Sequence, residues 1–109
     1  MSDMGGAKLL SPTPGATVTL TIDTTVRHLV ASWTSGEVET VNISGTPLDG
    51  QQITLLITND GTLGRVITLG AGFSANGTII GVISKRSIWF GIAVGGVFYE
   101  VARTVGVLT

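Results

Sequence analysis

From residue 16 onward the chain alternates between apolar and polar positions. Val18, Leu20 and Ile22 interleave with Thr17, Thr19 and Thr21. Successive side chains of a strand point to opposite faces, so this spacing predicts a half-buried strand. Further runs span 26–33, 38–44 (Val41 and Ile43 on one face) and 52–58 (Ile53, Leu55 and Ile57 aligned). Shorter runs cover 65–69 and 78–84. The run 87–94 sets Ile88, Phe90, Ile92 and Val94 on one face, and 97–104 aligns Val97, Tyr99 and Val101. No window carries a helical period, and Val, Ile and Thr dominate, so little or no helix is predicted.

The punctuation between runs is turn chemistry. Asp49-Gly50, Asp60-Gly61, Asn76-Gly77 and Gly95-Gly96 all tolerate positive φ, and Gly95-Gly96 gives the clearest hairpin. Strands recurring every ten residues or so suggest a compact antiparallel β-sandwich or β-barrel, jelly-roll-like, with about seven or eight short strands. Residues 1–15 read as an irregular, flexible N-terminal arm, because Gly5-Gly6, Pro12 and Pro14 disfavour regular structure. Residues 16–109 then form a single β-domain. Leu9 and Leu10 in the arm belong either to a disordered terminus or to a segment that docks on a neighbouring molecule.

Composition narrows the environment. The 109 residues are 43% hydrophobic and only 12% charged, with a formal net charge of −1 and a mean hydropathy of +0.51. Ordinary soluble chains carry roughly twice that charge. The longest apolar run, 88–97, is broken by Gly91, Gly95 and Gly96 and is too short for a membrane helix. The apolar residues are therefore expected both in a core and between subunits. Lys85-Arg86 is the one adjacent basic pair, which does not make a nucleic-acid surface. The start of the chain lacks the apolar stretch of a signal peptide, and synthesis in a cytoplasm is expected. With no cysteine, the fold has no disulfide staple.

Candidate chemistry is sparse. His28 is the lone histidine and needs partners that its sequence neighbours do not supply; a solvent-facing or interface position is the simpler reading. Glu37 and Glu39 share a strand face and form either a carboxylate pair or a solvated face, the second being expected. Asp49 and Asp60 are explained by the turns they start. Gly70-Ala71-Gly72 lacks the Gly-Lys-Ser/Thr of a phosphate loop and reads as a turn. If Phe90 faces the core, Trp89 faces outward as an interface or sugar-stacking anchor; the alternative is a buried Trp89. No catalytic residue, metal ligand or cofactor is predicted.

From Trp33 to Arg103 the segments LDGQQITLLITND, GRVITLGAGFSANGTI and SKRSIWFGIAVGGVFYEVAR stand in a familiar order. Asp49-Gly50 precedes an alternating strand; Arg65, Ile67 and Thr68 lead to Gly70, Gly72 and Phe73; Tyr99, Glu100 and Val101 follow the last hairpin. This order resembles small β-domains of bacteriophage virion proteins, including head decoration proteins and fibre or tail-associated domains. The resemblance implies a non-enzymatic, homotrimeric module on the virion surface, made in the bacterial cytoplasm. The expected partner is the major capsid protein, which a decoration or cement protein binds and stabilises. The alternatives are a fibre or tail adaptor, and a carbohydrate-binding module that stacks a host-surface glycan on Trp33, Trp89 and Tyr99. The expected interface residues are Leu9, Leu10, Trp33, Trp89, Tyr99, Val105, Val107 and Leu108.

Overall fold

The computed structural model describes residues 5–74 and 78–107. Among them there is no helix, and ten strands form two sheets. In chain order they are β1 (Gly5–Leu10), β2 (Thr17–Thr21), β3 (Val26–Ser35), β4 (Glu39–Ser44) and β5 (Gln52–Asn59). They continue as β6 (Val66–Leu69), β7 (Phe73–Ser74), β8 (Thr78–Ile80), β9 (Arg86–Val94) and β10 (Val97–Val107). One sheet has the order β1-β3-β5-β9-β10-β7 and the other β2-β4-β6-β8.

The first six strands alternate between the sheets. The chain thus winds as three stacked rungs, each laying one strand on each sheet beside the strand of the rung before. Winding in one direction makes neighbours parallel: β1, β3 and β5 in one sheet, β2, β4 and β6 in the other. The winding then reverses. β8 runs antiparallel to β6, β9 to β5 and β10 to β9, and these strands close one end of the stack. The expected antiparallel sandwich or barrel is therefore corrected to a solenoid-like stack of two mixed sheets. Alternation along a strand reports which face is buried but not which strand lies alongside, so it cannot separate these topologies.

The inward residues stack rung on rung. Leu29 lies beside Ile53, Ala31 beside Leu55 and Trp33 beside Ile57. In the other sheet Val18 lies beside Val41 and Val41 beside Leu69. All belong to one core between the sheets. Burying a side chain of this size contributes about 1.5–3 kcal/mol before conformational entropy is counted. The expected inward sets Val18/Leu20, Val41/Ile43 and Ile53/Leu55/Ile57 all face this core.

Two expectations are corrected locally. Residues 5–10, expected within an irregular arm, form β1, paired in parallel with β3. In β9 the phase is the one that buries Trp89, not the one that turns it outward as an interface anchor: Ser87, Trp89, Gly91 and Ala93 face inward, while Ile88, Phe90, Ile92 and Val94 face out. Pairing decides this. Gly91, Trp89 and Ser87 lie opposite the inward Ile53, Leu55 and Ile57, and directly opposed residues share a face. Volume agrees with pairing, because the Trp89 ring fills the space over Gly91. A Cβ on Gly91 would sit 2.6 Å from that ring and 2.8 Å from the Tyr99 carbonyl oxygen.

Buried amides hold the corners. The Gln51 side chain donates to the carbonyls of Asp23 (2.8 Å) and Val26 (2.9 Å) and accepts from the Leu48 amide (3.2 Å). At another corner Asn59 donates to the carbonyls of Asp60 and Leu63 and accepts from the Arg65 amide, all within 2.8 Å. Each amide thus satisfies three backbone groups that a corner would otherwise leave buried and unpaired. The Gly70-Ala71-Gly72 segment is a turn packed on β4. The Ala71 amide donates to the Asn42 side chain (2.9 Å), and Gly72 (φ +90°) lies so close to Ile43 that a Cβ would clash. The Asn76-Gly77 turn lies outside the described residues.

Candidate interaction surface

The side chains with candidate chemistry do not converge. His28 stands on the outer face of the six-stranded sheet, its Nε2 2.7 Å from the Thr54 hydroxyl and its ring 5.8 Å from that of Phe90. Glu39 is on the other sheet and is buried, which corrects the solvated-face expectation. Its carboxylate accepts the Trp33 indole N–H (2.9 Å) and the Gly15 amide (3.3 Å). Glu37 is exposed and outside the strand, so the two do not act as a pair. Among the described residues no cluster of His, Asp or Glu has the makings of a metal site.

The other polar centres brace the fold. Arg103 grips Glu100 through two nitrogens (2.6 and 2.8 Å) and reaches the Thr78 carbonyl (2.8 Å), tying β10 to β8. The same carboxylate accepts the Trp89 indole N–H at 3.1 Å. The Arg103 guanidinium, with help from Trp89, holds the Glu100 carboxyl below the usual carboxylate range. Asp60 and Arg65 form a second bidentate pair (2.7 and 3.1 Å), which lowers the Asp60 carboxyl in the same way. No sequence motif announces these contacts, because the partners of Trp89 and Arg103 are set by strand pairing.

The feature that stands out is the outer face of the six-stranded sheet. Cross-strand register arranges it in rows. One row runs Ala7, His28, Gln52, Ile92, Tyr99; the next Leu9, Val30, Thr54, Phe90, Ala102; a third Ser32, Leu56, Ile88, Thr104. Leu9 is 63% exposed and Tyr99 46%, and Ile88 and Val94 are also exposed. Val101, at a bulge in β10, is 56% exposed, and Val105 is exposed farther along the same strand. These rows carry no acidic side chain. Arg86, in the end row with Thr34 and Thr58, is the charged residue among them.

The sequence-predicted interface residues divide accordingly. Leu9 and Tyr99 lie in these rows, with Val105 exposed on β10, whereas Leu10 packs against the core. Trp33 and Trp89 are corrected to core residues. Trp89 has no exposed surface and Phe73 packs edge-on to it at 5.3 Å. A glycan platform of Trp33, Trp89 and Tyr99 is thereby reduced to Tyr99. Val107 ends β10, and Leu108 lies outside the described residues. The sequence sets Ile88, Phe90, Ile92 and Val94 on one face without saying which way it points, so this surface is legible there only as an unusual surplus of apolar residues.

No family model, curated protein or solved structure matches the chain.

Proposed function

We propose that this chain is a non-enzymatic structural module of a bacteriophage virion, acting as a homotrimeric capsid decoration protein. The observation that carries the proposal is the open apolar face of the six-stranded sheet. A face of exposed Leu, Ile, Val and Tyr without acidic side chains suits a permanent protein contact rather than a free surface. The order of turns and strands between Trp33 and Arg103 supplies the virion context.

The mechanism is mass action. A protein that binds the assembled shell and not its separated subunits stabilises the shell by RT ln(1 + [L]/Kd) per site. The decisive experiment mixes purified protein with capsids that lack it. Saturable binding with a raised shell melting temperature is expected; absence of binding overturns the decoration reading.

One observation favours the fibre or tail-adaptor reading as a second choice. β1 and β2 leave the first rung with an open edge on both sheets, each in parallel register. Further rungs can be added there, as an elongated fibre needs. The glycan-binding reading keeps only Tyr99 of its three predicted rings and is the weakest of the three.

A further inference from the structure

The occupant of the six-stranded sheet's outer face is the next question, and we infer that it is a second copy of this chain. The inference rests on the reading of the chain as a self-associating virion module and assigns the surface through which copies meet.

Size is the first argument. The six strands are spaced about 4.8 Å apart, and the β3–β5 ladder from His28 to Ser35 is about 26 Å long at 3.3 Å per residue. The face therefore covers at most on the order of 600 Å², polar positions included, which approaches the roughly 800 Å² per partner of a standard interface.

Charge is the second. An acidic partner finds only Arg86, at the margin of the face, and a basic partner finds no carboxylate at all. The neighbour must be as apolar and as poor in charge as the face itself. The chain is 12% charged throughout, so another copy meets that requirement.

Relief is the third. In the middle row the large Phe90 stands between the small Thr54 and Ala102. A neighbouring copy can seat a large side chain of its own over Thr54, the interdigitation by which sheets pack about 10 Å apart.

The opposite surface of the molecule differs. Across the four-stranded sheet Thr17, Thr40, Thr68 and Thr78 form one outward row, with Thr19 beside Asn42 and Thr21 beside Ser44. Hydroxyls and an amide remain hydrated along these rows, and the apolar outward residues of that sheet are confined to its end row, Val66 beside the exposed Ile80.

The test is solution mass by light scattering or sedimentation from about 1 to 100 µM, with the full chain. Wild type is expected at a multiple of 11.2 kDa. Ile88→Glu and Tyr99→Lys are expected to weaken association at least tenfold while keeping a β-type circular dichroism spectrum. Thr40→Glu, on the other sheet, is expected to leave the mass unchanged. The chain has no cysteine, so single-cysteine variants provide a readout that does not depend on a destabilising charge. Ile88→Cys is expected to give cross-linked dimers with a short bis-maleimide, and Thr19→Cys to give none.

A wild type that stays monomeric at 100 µM overturns the inference, as does an oligomer that Thr40→Glu disrupts and Ile88→Glu does not. Shell binding is scored separately on capsids. Saturable shell binding by a monomer removes this inference together with the homotrimer and leaves shell decoration; oligomers that ignore the shell remove the decoration reading and leave this inference.

Discussion

On the four-stranded sheet the outward row Thr17, Thr40, Thr68, Thr78 ends in hydroxyls; on the six-stranded sheet the outward row Leu9, Val30, Thr54, Phe90, Ala102 ends mostly in carbon. The inward rows of both are alike, aliphatic and stacked rung on rung. Inward residues answer to the core and leave little freedom. Outward residues need only suit a pleated strand, a requirement that Thr and Ile meet equally. Strand geometry therefore does not separate the two outer faces; the proposed contact between copies on one side, against water on the other, accounts for the difference.

The comparison is most sharply broken at neighbouring residues of β9. Trp89→Ala empties the core, strips a donor from Glu100 and is expected to cost about 3–5 kcal/mol, read by urea or thermal unfolding. Ile88→Thr, one residue away and outward, is expected to change monomer stability by no more than about 0.5 kcal/mol. Equal losses at the two positions would mean that β9 has the opposite phase.

Corners come next. Asn59→Ala removes three hydrogen bonds to backbone groups and is expected to cost about 2–3 kcal/mol, with faster amide exchange at Arg65. It should do so without changing the oligomer, since Asn59 lies on neither outer face.

Assembly is a smaller energy with a clear readout. The tenfold weakening expected of Ile88→Glu corresponds to about 1.4 kcal/mol, and Thr68→Val on the other sheet is expected to leave association unchanged. If Thr68→Val creates new association, the threonine face is hydrated only because of its hydroxyls, which sharpens the contrast.

The smallest effect concerns pH. Asp60 and Glu100 are held below their ordinary range by Arg65 and Arg103, so at acidic pH these carboxyl groups bind fewer protons in the folded chain than in the unfolded one. Their contribution is present in full above the ordinary carboxylate range near pH 4. It falls away as acidification proceeds through their lower folded values. Asp60→Asn is expected to flatten part of the acid-side slope of stability against pH. The pair is partly exposed, so the change is modest.

The alternation in β2, β4 and β5 was readable because each strand has one set of apolar residues and one of polar residues, and the apolar set goes inward. The phase of β9 stayed open because between Ser87 and Val94 neither of its sets is charged, and the more hydrophobic one faces out. Glu39 was misread because a carboxylate can be buried once Trp33 and Gly15 supply its donors, and neither donor is visible from its own strand. The apolar face was present in the composition as a surplus without a location.

The chain by itself determined that the protein is built of strands, where most of them run, and that more apolar surface exists than one small core consumes. Those properties follow from local periodicity and residue chemistry. Only the tertiary structure decided that the rungs run parallel, that Trp89 goes in while Ile88 and Phe90 go out, and that Leu9, Ile88, Val94, Tyr99, Val101 and Val105 stand exposed on one sheet. Each of these depends on which strand lies beside which, and strand pairing is a relation between distant segments that no local pattern encodes.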